Sequence, residues 1–183
     1  MTAGDGPVAL PAVRQSGLPP RRLPQMPKKK KKIEARLSEI HGNGVFATEA
    51  IRKGERIVRY KGKLRTHEEV DQAYGDDDED GHTFLFTLND DYVIDANVDG
   101  NIARWINHSC DPNCESEVEE DAKDRRRKDK VFIHALRNIK AGEELTYNYG
   151  IVLDEPHTAK NKKLWACRCG SKKCTGTMLQ PKR

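Results

Sequence analysis

Residues that favour β-strands occur in this chain as short runs, separated by residues that favour turns. This pattern predicts several short strands rather than a few long helices. The runs are Ile33–Leu37, Gly44–Ala47, Arg56–Tyr60, Thr83–Leu88, Tyr92–Ile94 and Lys130–Ala135. One helix is predicted at Glu68–Tyr74, because Thr66 and Glu69 form a capping-box pattern at its start. The chain is therefore predicted to be mainly β, with exposed loops at the charge-dense segments Asp76–Asp80 and Glu115–Lys130.

Charge divides the 183 residues into three parts. Residues 1–32 hold eight basic residues, one acidic residue and six of the nine prolines, which predicts a disordered basic tail. Residues 33–155 hold 17 basic and 28 acidic residues, and residues 156–183 hold eight basic residues and no acidic one. We predict one domain over 33–155 and a small module over 156–183. The acidic centre favours a basic substrate, and the basic ends could make weak contacts with nucleic acid.

The sequence argues against export and against membrane insertion. No apolar segment approaches the roughly 18 residues of a membrane-spanning helix, and the N-terminus lacks the apolar core of a signal peptide. We therefore expect an intracellular protein, located in a bacterial cytoplasm or nucleoid, or in a nucleus.

The cysteines predict a metal site. Cys167, Cys169 and Cys174 form the pattern C-x-C-x4-C, and thiolates this close in sequence are common ligands of tetrahedral Zn²⁺. An odd total of five cysteines argues against a disulfide framework. The fourth ligand must come from elsewhere in the chain, and the candidates are Cys110, Cys114 and a histidine such as His157.

Three further segments are rich in residues that build sites. His41–Ala47 reads HGNGVFA, and its glycines allow the backbone to approach a ligand closely. Arg104–Asn113 reads RWINHSCDPN, in which polar side chains are so dense that burial requires each to find a partner. A nucleophilic Cys–His pair in this segment would lack an orienting third group, which argues against a hydrolase. Glu143–Gly150 reads EELTYNYG, and a strand would direct its two tyrosines to one face.

These three motifs, in this order and followed by CRCGSKKC, resemble the signature of SET-domain protein lysine methyltransferases with a post-SET zinc knuckle. The resemblance covers residues 33–183. It implies several small curled sheets around a pseudoknot, where segment 104–113 passes beneath segment 144–149, and a C-terminal zinc-binding knuckle. It also implies methyl transfer from S-adenosylmethionine to a lysine of a basic protein, such as a histone or histone-like tail. Because no cysteine-rich pre-SET segment precedes the motifs, the chain resembles compact, stand-alone bacterial members.

The resemblance also assigns residues. Tyr149 would be the catalytic tyrosine, with Tyr60 beside it in the lysine channel and Tyr147 restricting the product mainly to one or two methyl groups. The implied zinc ligands are Cys110 and the three C-terminal cysteines, which leaves Cys114 free. The cofactor residues implied are His41, Gly42, Asn43, Gly44, Phe84, Arg104, Asn107, His108 and Trp165.

Three residues depart from the family pattern. Phe84 stands where many relatives have a tyrosine, Lys63 where relatives often have an acid, and Asn148 where aspartate is common. These departures leave open a second reading, a SET fold that binds its cofactor or a basic peptide without turnover. A third reading is a zinc-knuckle nucleic-acid binder, although aromatic residues beside the basic ends are sparse.

Overall fold

Short strands make up most of the regular structure in the computed structural model, which describes residues 31–75, 84–153 and 155–181. The strands of these residues are β1 (Ile33–Leu37), β2 (Asn43–Ala47), β3 (Arg56–Tyr60), β4 (Lys63–Thr66), β5 (Leu85–Thr87), β6 (Tyr92–Asp95), β7 (Asn107–His108), β8 (Cys114–Glu119), β9 (Lys130–Ala135) and β10 (Glu144–Tyr147). The helices are α1 (His67–Tyr74) and α2 (Ala159–Leu164), and neither is long and apolar enough to cross a membrane. Most of the predicted tail, residues 1–30, and the predicted loop Asp76–Asp80 lie outside the described residues.

In the described part of the chain, the strands form three small sheets. Their orders are β1-β2-β10-β7, β3-β9-β8 and β4-β6-β5. In the first sheet β7 runs parallel to β10, with Asn107 opposite Thr146 and His108 opposite Tyr147. This pairing lays the RWINHSCDPN and EELTYNYG motifs side by side, and these are the two segments that the resemblance expects to cross.

The core holds the inner faces of these strands. Val45 of β2 and Leu145 of β10 are opposite each other in the sheet, and both are fully buried. In β9, Val131 and Ile133 are also fully buried, whereas the alternate residue Phe132 is half-buried. This alternation is the period-two pattern expected of a strand with one face on a core.

Several predicted elements have the predicted bounds. The strands at Ile33–Leu37, Arg56–Tyr60 and Lys130–Ala135 are confirmed, whereas the run Thr83–Leu88 contains a shorter strand, Leu85–Thr87. Helix α1 begins one residue earlier than predicted. Its capping box is present, because Thr66 Oγ1 accepts a hydrogen bond from the Glu69 N–H (3.2 Å) and the Glu69 carboxylate accepts one from the Thr66 N–H (2.9 Å).

Two expectations about irregular structure are wrong. The predicted loop Glu115–Lys130 begins inside strand β8, which pairs with β9 over its whole length, and Arg126–Lys128 forms a 3₁₀ turn. Strand β8 is an edge strand with exposed glutamates, so the charges concealed its strand character in the sequence. Helix α2 was not predicted because six residues carry too little apolar periodicity, although Thr158 caps it by accepting from the Asn161 N–H.

Candidate functional site

Three tyrosines meet around one cavity. Tyr60 ends β3, Tyr147 ends β10, and Tyr149 follows two residues later. The rings of Tyr147 and Tyr149 lie 4.9 Å apart between centroids, and the Phe86 ring lies 5.3 Å from that of Tyr60. We call this space, of about 530 Å³, the tyrosine cavity. It is lined by Tyr60, Leu85, Phe86, Thr87, Arg104, Tyr147, Tyr149, Gly150, Ile151, Val152 and Trp165.

The three hydroxyl groups remain protonated at neutral pH. Burial raises the pKa of Tyr60, of Tyr147 and of Tyr149 above the usual value for tyrosine. Tyr149 Oη donates a hydrogen bond to the Ile106 carbonyl (3.0 Å), and Tyr60 Oη donates to the Phe84 carbonyl (3.1 Å). Within the described residues, the Tyr147 hydroxyl has no hydrogen-bond partner. The cavity therefore offers one uncommitted phenol and two fixed ones, and none of the three can act as a base in its ionised form.

A second cavity, of about 360 Å³, lies beside the first loop motif. We call it the histidine cavity, because His41 and His108 both line it. Its walls are Ile40, His41, Asn107, His108, Tyr149, Lys163, Leu164, Ala166, Cys167, Arg168 and Met178. Among the described residues, Tyr149 is the one that lines both cavities.

His108 is held neutral in the wall of the histidine cavity. Burial lowers the pKa of His108 to about 4, so the ring is uncharged at neutral pH. A neutral ring keeps one nitrogen free to accept, and His108 Nδ1 accepts a hydrogen bond from the Tyr149 N–H (3.2 Å). The two rings also meet edge to face, 5.3 Å apart. His108 thus fixes the backbone that carries Tyr149.

Asn107 fixes the loop with the two glycines. Its Nδ2 donates to the carbonyls of His41 (3.2 Å) and Asn43 (3.1 Å) and to the carboxylate of Glu144 (2.9 Å). The same carboxylate accepts a hydrogen bond from Ser38 Oγ (2.7 Å). The loop geometry therefore depends on Glu144, which belongs to the EELTYNYG motif but was assigned no role from sequence, and on Ser38, which lies outside every motif.

Gly44 leaves the space that this carboxylate occupies. A Cβ at Gly44 would overlap the Glu144 carboxylate and approach Ser38 Cβ to 2.9 Å. We expect Gly44→Ala to lower the free energy of unfolding by about 3 kcal/mol, because Glu144 must move and release its partners. Chemical denaturation measures the change. Ser38→Ala removes one donor without overlap and should have a smaller effect, and equal effects would contradict this explanation.

The remaining residues expected to contact the cofactor lie near the tyrosine cavity. Arg104 and Trp165 line that cavity and do not line the histidine cavity. The Phe84 ring packs edge to face against Trp105, 4.9 Å away, and its carbonyl accepts the hydrogen bond from Tyr60. The structure thus brings His41, Asn107 and His108 together in the wall of the histidine cavity. Arg104 and Trp165 line the tyrosine cavity, and Phe84 lies against Arg104.

Four cysteines converge at the C-terminal module. The sulfur atoms of Cys110, Cys167, Cys169 and Cys174 all lie within 4.8 Å of one another, and Cys110 Sγ is 3.7 Å from Cys167 Sγ. Ligands on a tetrahedral zinc ion at about 2.3 Å are separated by about 3.8 Å. The donor set and its spacing therefore suit a closed structural Zn²⁺ site.

Cys114, the other cysteine near the NHSC motif, lies outside this group. It is fully buried at the start of β8, and burial raises its pKa to about 12, so the thiol stays protonated. His157, the remaining alternative ligand, is also not part of the group.

The cysteine cluster is continuous with the histidine cavity. Cys110 Sγ lies 3.6 Å from His108 Nε2, and Cys167 is itself part of the cavity wall. Whatever holds the four sulfur atoms together therefore also fixes one wall of this cavity.

Comparisons with known proteins agree with this arrangement. The family model for the SET domain matches residues 42–150. The chain is 38% identical over 139 residues to the histone-lysine N-methyltransferase trithorax of Drosophila virilis. These aligned residues cover 75% of this chain and 3% of that protein. It is 36% identical over 162 residues to an H3 lysine-4 specific histone-lysine N-methyltransferase of Chaetomium globosum. Here the aligned residues cover 85% of this chain and 14% of that protein.

Among solved structures, ctPRC2 in an autoinhibited conformation bound to S-adenosylmethionine is similar, with a TM-score of 0.59 and 32% identity. The match covers 67% of this chain and 15% of that one. The chain thus spans only a small part of the length of the relatives that it matches. The SET-domain match nevertheless includes more than half of the chain and, except for His41, all three motifs. This chain belongs to the SET-domain family.

Proposed function

We propose that this chain transfers a methyl group from S-adenosylmethionine to the side-chain nitrogen of a lysine in a basic, histone-type protein. The observation that carries the proposal is the position of Tyr149, which lines both the histidine cavity and the tyrosine cavity. A residue shared by two cavities is where a group bound in one can meet a group bound in the other. The names of the relatives, which are histone-lysine methyltransferases, and the S-adenosylmethionine in the solved neighbour support this chemistry.

The histidine cavity suits the methyl donor. Its volume lies at the lower end of the range for small-molecule sites. The wall combines apolar side chains, such as Leu164 and Met178, with hydrogen-bonding groups on His41 and Asn107. When bound, S-adenosylmethionine supplies an electrophilic methyl group, whose bond to sulfur breaks as a bond to the lysine nitrogen forms.

The tyrosine cavity suits a lysine side chain. Its aromatic walls can pack along an alkyl chain, and its hydroxyl groups can bind or orient an amine. A lysine, with a usual pKa near 10.4, must lose its proton before its nitrogen can attack. Because the three tyrosines stay protonated, they serve as hydrogen-bonding groups and the amine proton leaves to solvent. Positioning and electrostatics then account for the catalysis.

The test is transfer of labelled methyl from S-adenosylmethionine to purified basic proteins. Core histones, a bacterial nucleoid protein and ribosomal proteins form the panel, and an acidic protein of similar lysine content is the control. We expect label on at least one basic protein and none on the control. Absence of label from every protein, with zinc present and binding of the donor verified by calorimetry, would contradict the proposed function and favour a binding module.

The uncommitted hydroxyl of Tyr147 leads to a prediction about the product. We infer that this hydroxyl binds the amine or a water molecule and leaves little room for methyl groups that are already attached. Tyr147→Phe removes it, and we expect the ratio of trimethylated to monomethylated lysine to rise by about 10-fold. Mass spectrometry of the product measures the ratio. An unchanged ratio in a variant that retains transfer activity would show that another residue limits the number of methyl groups.

Some expectations stay predictions. Contact between the basic ends and nucleic acid is one of them, and it is supported by the exposed side chains of Lys160, Lys162, Lys163 and Arg168 near α2. The cellular location and the role of the basic tail are others.

A further inference from the structure

Arg104 places a positive charge in the wall of the tyrosine cavity. It belongs to the 3₁₀ turn Ile102–Trp105, which is separated from β7 by one residue. Its guanidinium carbon lies 4.5 Å from the centre of the Trp105 ring and 5.5 Å from that of Phe84. Its Nη1 donates a hydrogen bond to the Ala96 carbonyl (3.0 Å). Two aromatic rings and one carbonyl therefore hold the guanidinium in place.

This charge has no counter-ion in the described part of the chain. Two acids act electrostatically on the tyrosines of the cavity, Asp95 on Tyr60 and Glu144 on Tyr149. Glu144 of β10 lies outside the cavity wall, where its carboxylate accepts hydrogen bonds from Asn107 Nδ2 (2.9 Å) and Ser38 Oγ (2.7 Å).

Asp95 of β6 is fully buried. Asp95 is already bound by Arg65 of β4 (2.7 Å), by the Tyr74 hydroxyl of α1 (2.8 Å) and by the Asn97 N–H (3.0 Å). Burial by itself would raise the pKa of Asp95, but the hydrogen bonds from Tyr74 and Arg65 lower it, so Asp95 and Arg65 form a balanced pair.

The other titratable groups facing Arg104 are uncharged. Tyr60 of β3, Tyr147 of β10 and the following Tyr149 all line the same cavity, and all three remain protonated at neutral pH. The positive charge of Arg104 lowers the pKa of Tyr60, against the larger opposing effect of burial, so its field reaches the Tyr60 hydroxyl. Among the described residues that line the tyrosine cavity, Arg104 is thus the one charged side chain, in a cavity that would receive a lysine.

A cation in a poorly hydrated wall disfavours a second cation nearby. We infer that Arg104 is the fixed charge that favours the neutral amine over the ammonium form of a lysine in the tyrosine cavity. This inference rests on the proposed function and assigns one of its steps, the loss of a proton to solvent before methyl transfer. It gives Arg104 an electrostatic role at the lysine, separate from any contact with the methyl donor.

The test is the pH dependence of kcat at saturating substrate, because kcat reports the ionisation of groups in the enzyme–substrate complex. Methyl transfer to core histones is measured from pH 6.5 to pH 10 for the parent, Arg104→Gln and Arg104→Lys. We expect Arg104→Gln to shift the midpoint upward by about one pH unit, so that kcat falls about 10-fold below the midpoint and recovers at high pH. Arg104→Lys keeps the charge and should retain most of the parent profile. KM should not rise in Arg104→Gln, since the lost group repels the ammonium form.

Arg59→Gln is the matched control, because Arg59 is an exposed residue of β3 that lies outside the cavity wall, and it should leave the profile unshifted. Calorimetric binding of S-adenosylhomocysteine checks that each variant is folded. A fall in kcat of equal size at every pH, or an unshifted midpoint, would overturn the inference while leaving the proposed function intact. No transfer by the parent would contradict the proposed function and the inference together.

Discussion

Tyr149→Phe is expected to lower kcat for methyl transfer by about 10²- to 10³-fold, with little change in KM. The substitution removes one hydroxyl at the junction of the two cavities and leaves the aromatic ring that both share. The hydroxyl is held in place by the Ile106 carbonyl (3.0 Å), and His108 holds the backbone that carries it. A group fixed in this way stabilises charge as it changes in the transition state and requires no reorganisation.

Radiolabel transfer measures kcat, and binding of S-adenosylhomocysteine shows whether the histidine cavity survives. Tyr92→Phe removes a tyrosine hydroxyl elsewhere in the fold and is the matched control, since Tyr92 lies in β6 and outside both cavities. We expect the control to keep parent activity. If Tyr149→Phe and the parent transferred methyl groups equally, Tyr149 would not be the catalytic tyrosine and the junction would need another explanation.

Much of the fold could be predicted from the sequence, because helix starts and strand faces are determined by residues that are close together in the chain. The Thr66–Glu69 capping box marks a helix start within four residues, and the alternation in Lys130–Ala135 marks a strand with one buried face. Strand β8 shows where this fails. It lies at a sheet edge, so its exposed glutamates look like loop residues until the pairing with β9 is known.

The site could be predicted only in part, because it is built from contacts between distant segments. Asn107 and Glu144 are 37 residues apart, and the Cys110 and Cys167 sulfur atoms meet across 57 residues. The resemblance supplied the residues of the motifs, including the tyrosines and the four cysteines. It did not supply Ser38, which lies outside every motif. Its assignment of Arg104 to the cofactor stays a prediction, and the structure places Arg104 in the wall of the tyrosine cavity.

The three departures from the family pattern leave the tyrosines undisturbed, which supports an enzyme over a binding module. Asn148 Oδ1 accepts hydrogen bonds from the Gly150 N–H and from Gln180 Nε2, both at 2.9 Å, and an aspartate would use the same acceptor atom. Lys63 is exposed at the start of β4 and does not line the tyrosine cavity. Phe84 contributes its backbone carbonyl to Tyr60, a bond that does not depend on its side chain.

Removal of zinc is expected to reduce methyl transfer by about 10²-fold rather than only to lower the thermal stability. Cys110, Cys167, Cys169 and Cys174 would hold the ion, and α2 and the residues after it have few buried side chains of their own. Without the ion, the segment that supplies Leu164, Cys167 and Met178 to the histidine cavity would lose its fixed position. The methyl donor would then bind weakly, and its methyl group would no longer align with the amine.

Elemental analysis should give one zinc per chain, and a chelator or Cys110→Ser should lower this value together with activity and S-adenosylhomocysteine affinity. Hydrogen exchange should speed up mainly between residues 159 and 180, while β2, β9 and β10 remain protected. Cys114→Ala is the control, because Cys114 is buried in β8 and lies outside the cysteine group. We expect this variant to bind as much zinc as the parent. Full methyl transfer by a sample verified to be free of zinc would contradict this prediction, because it would show that the histidine cavity forms without the metal. The short distance from Cys110 Sγ to His108 Nε2 would then have no functional consequence.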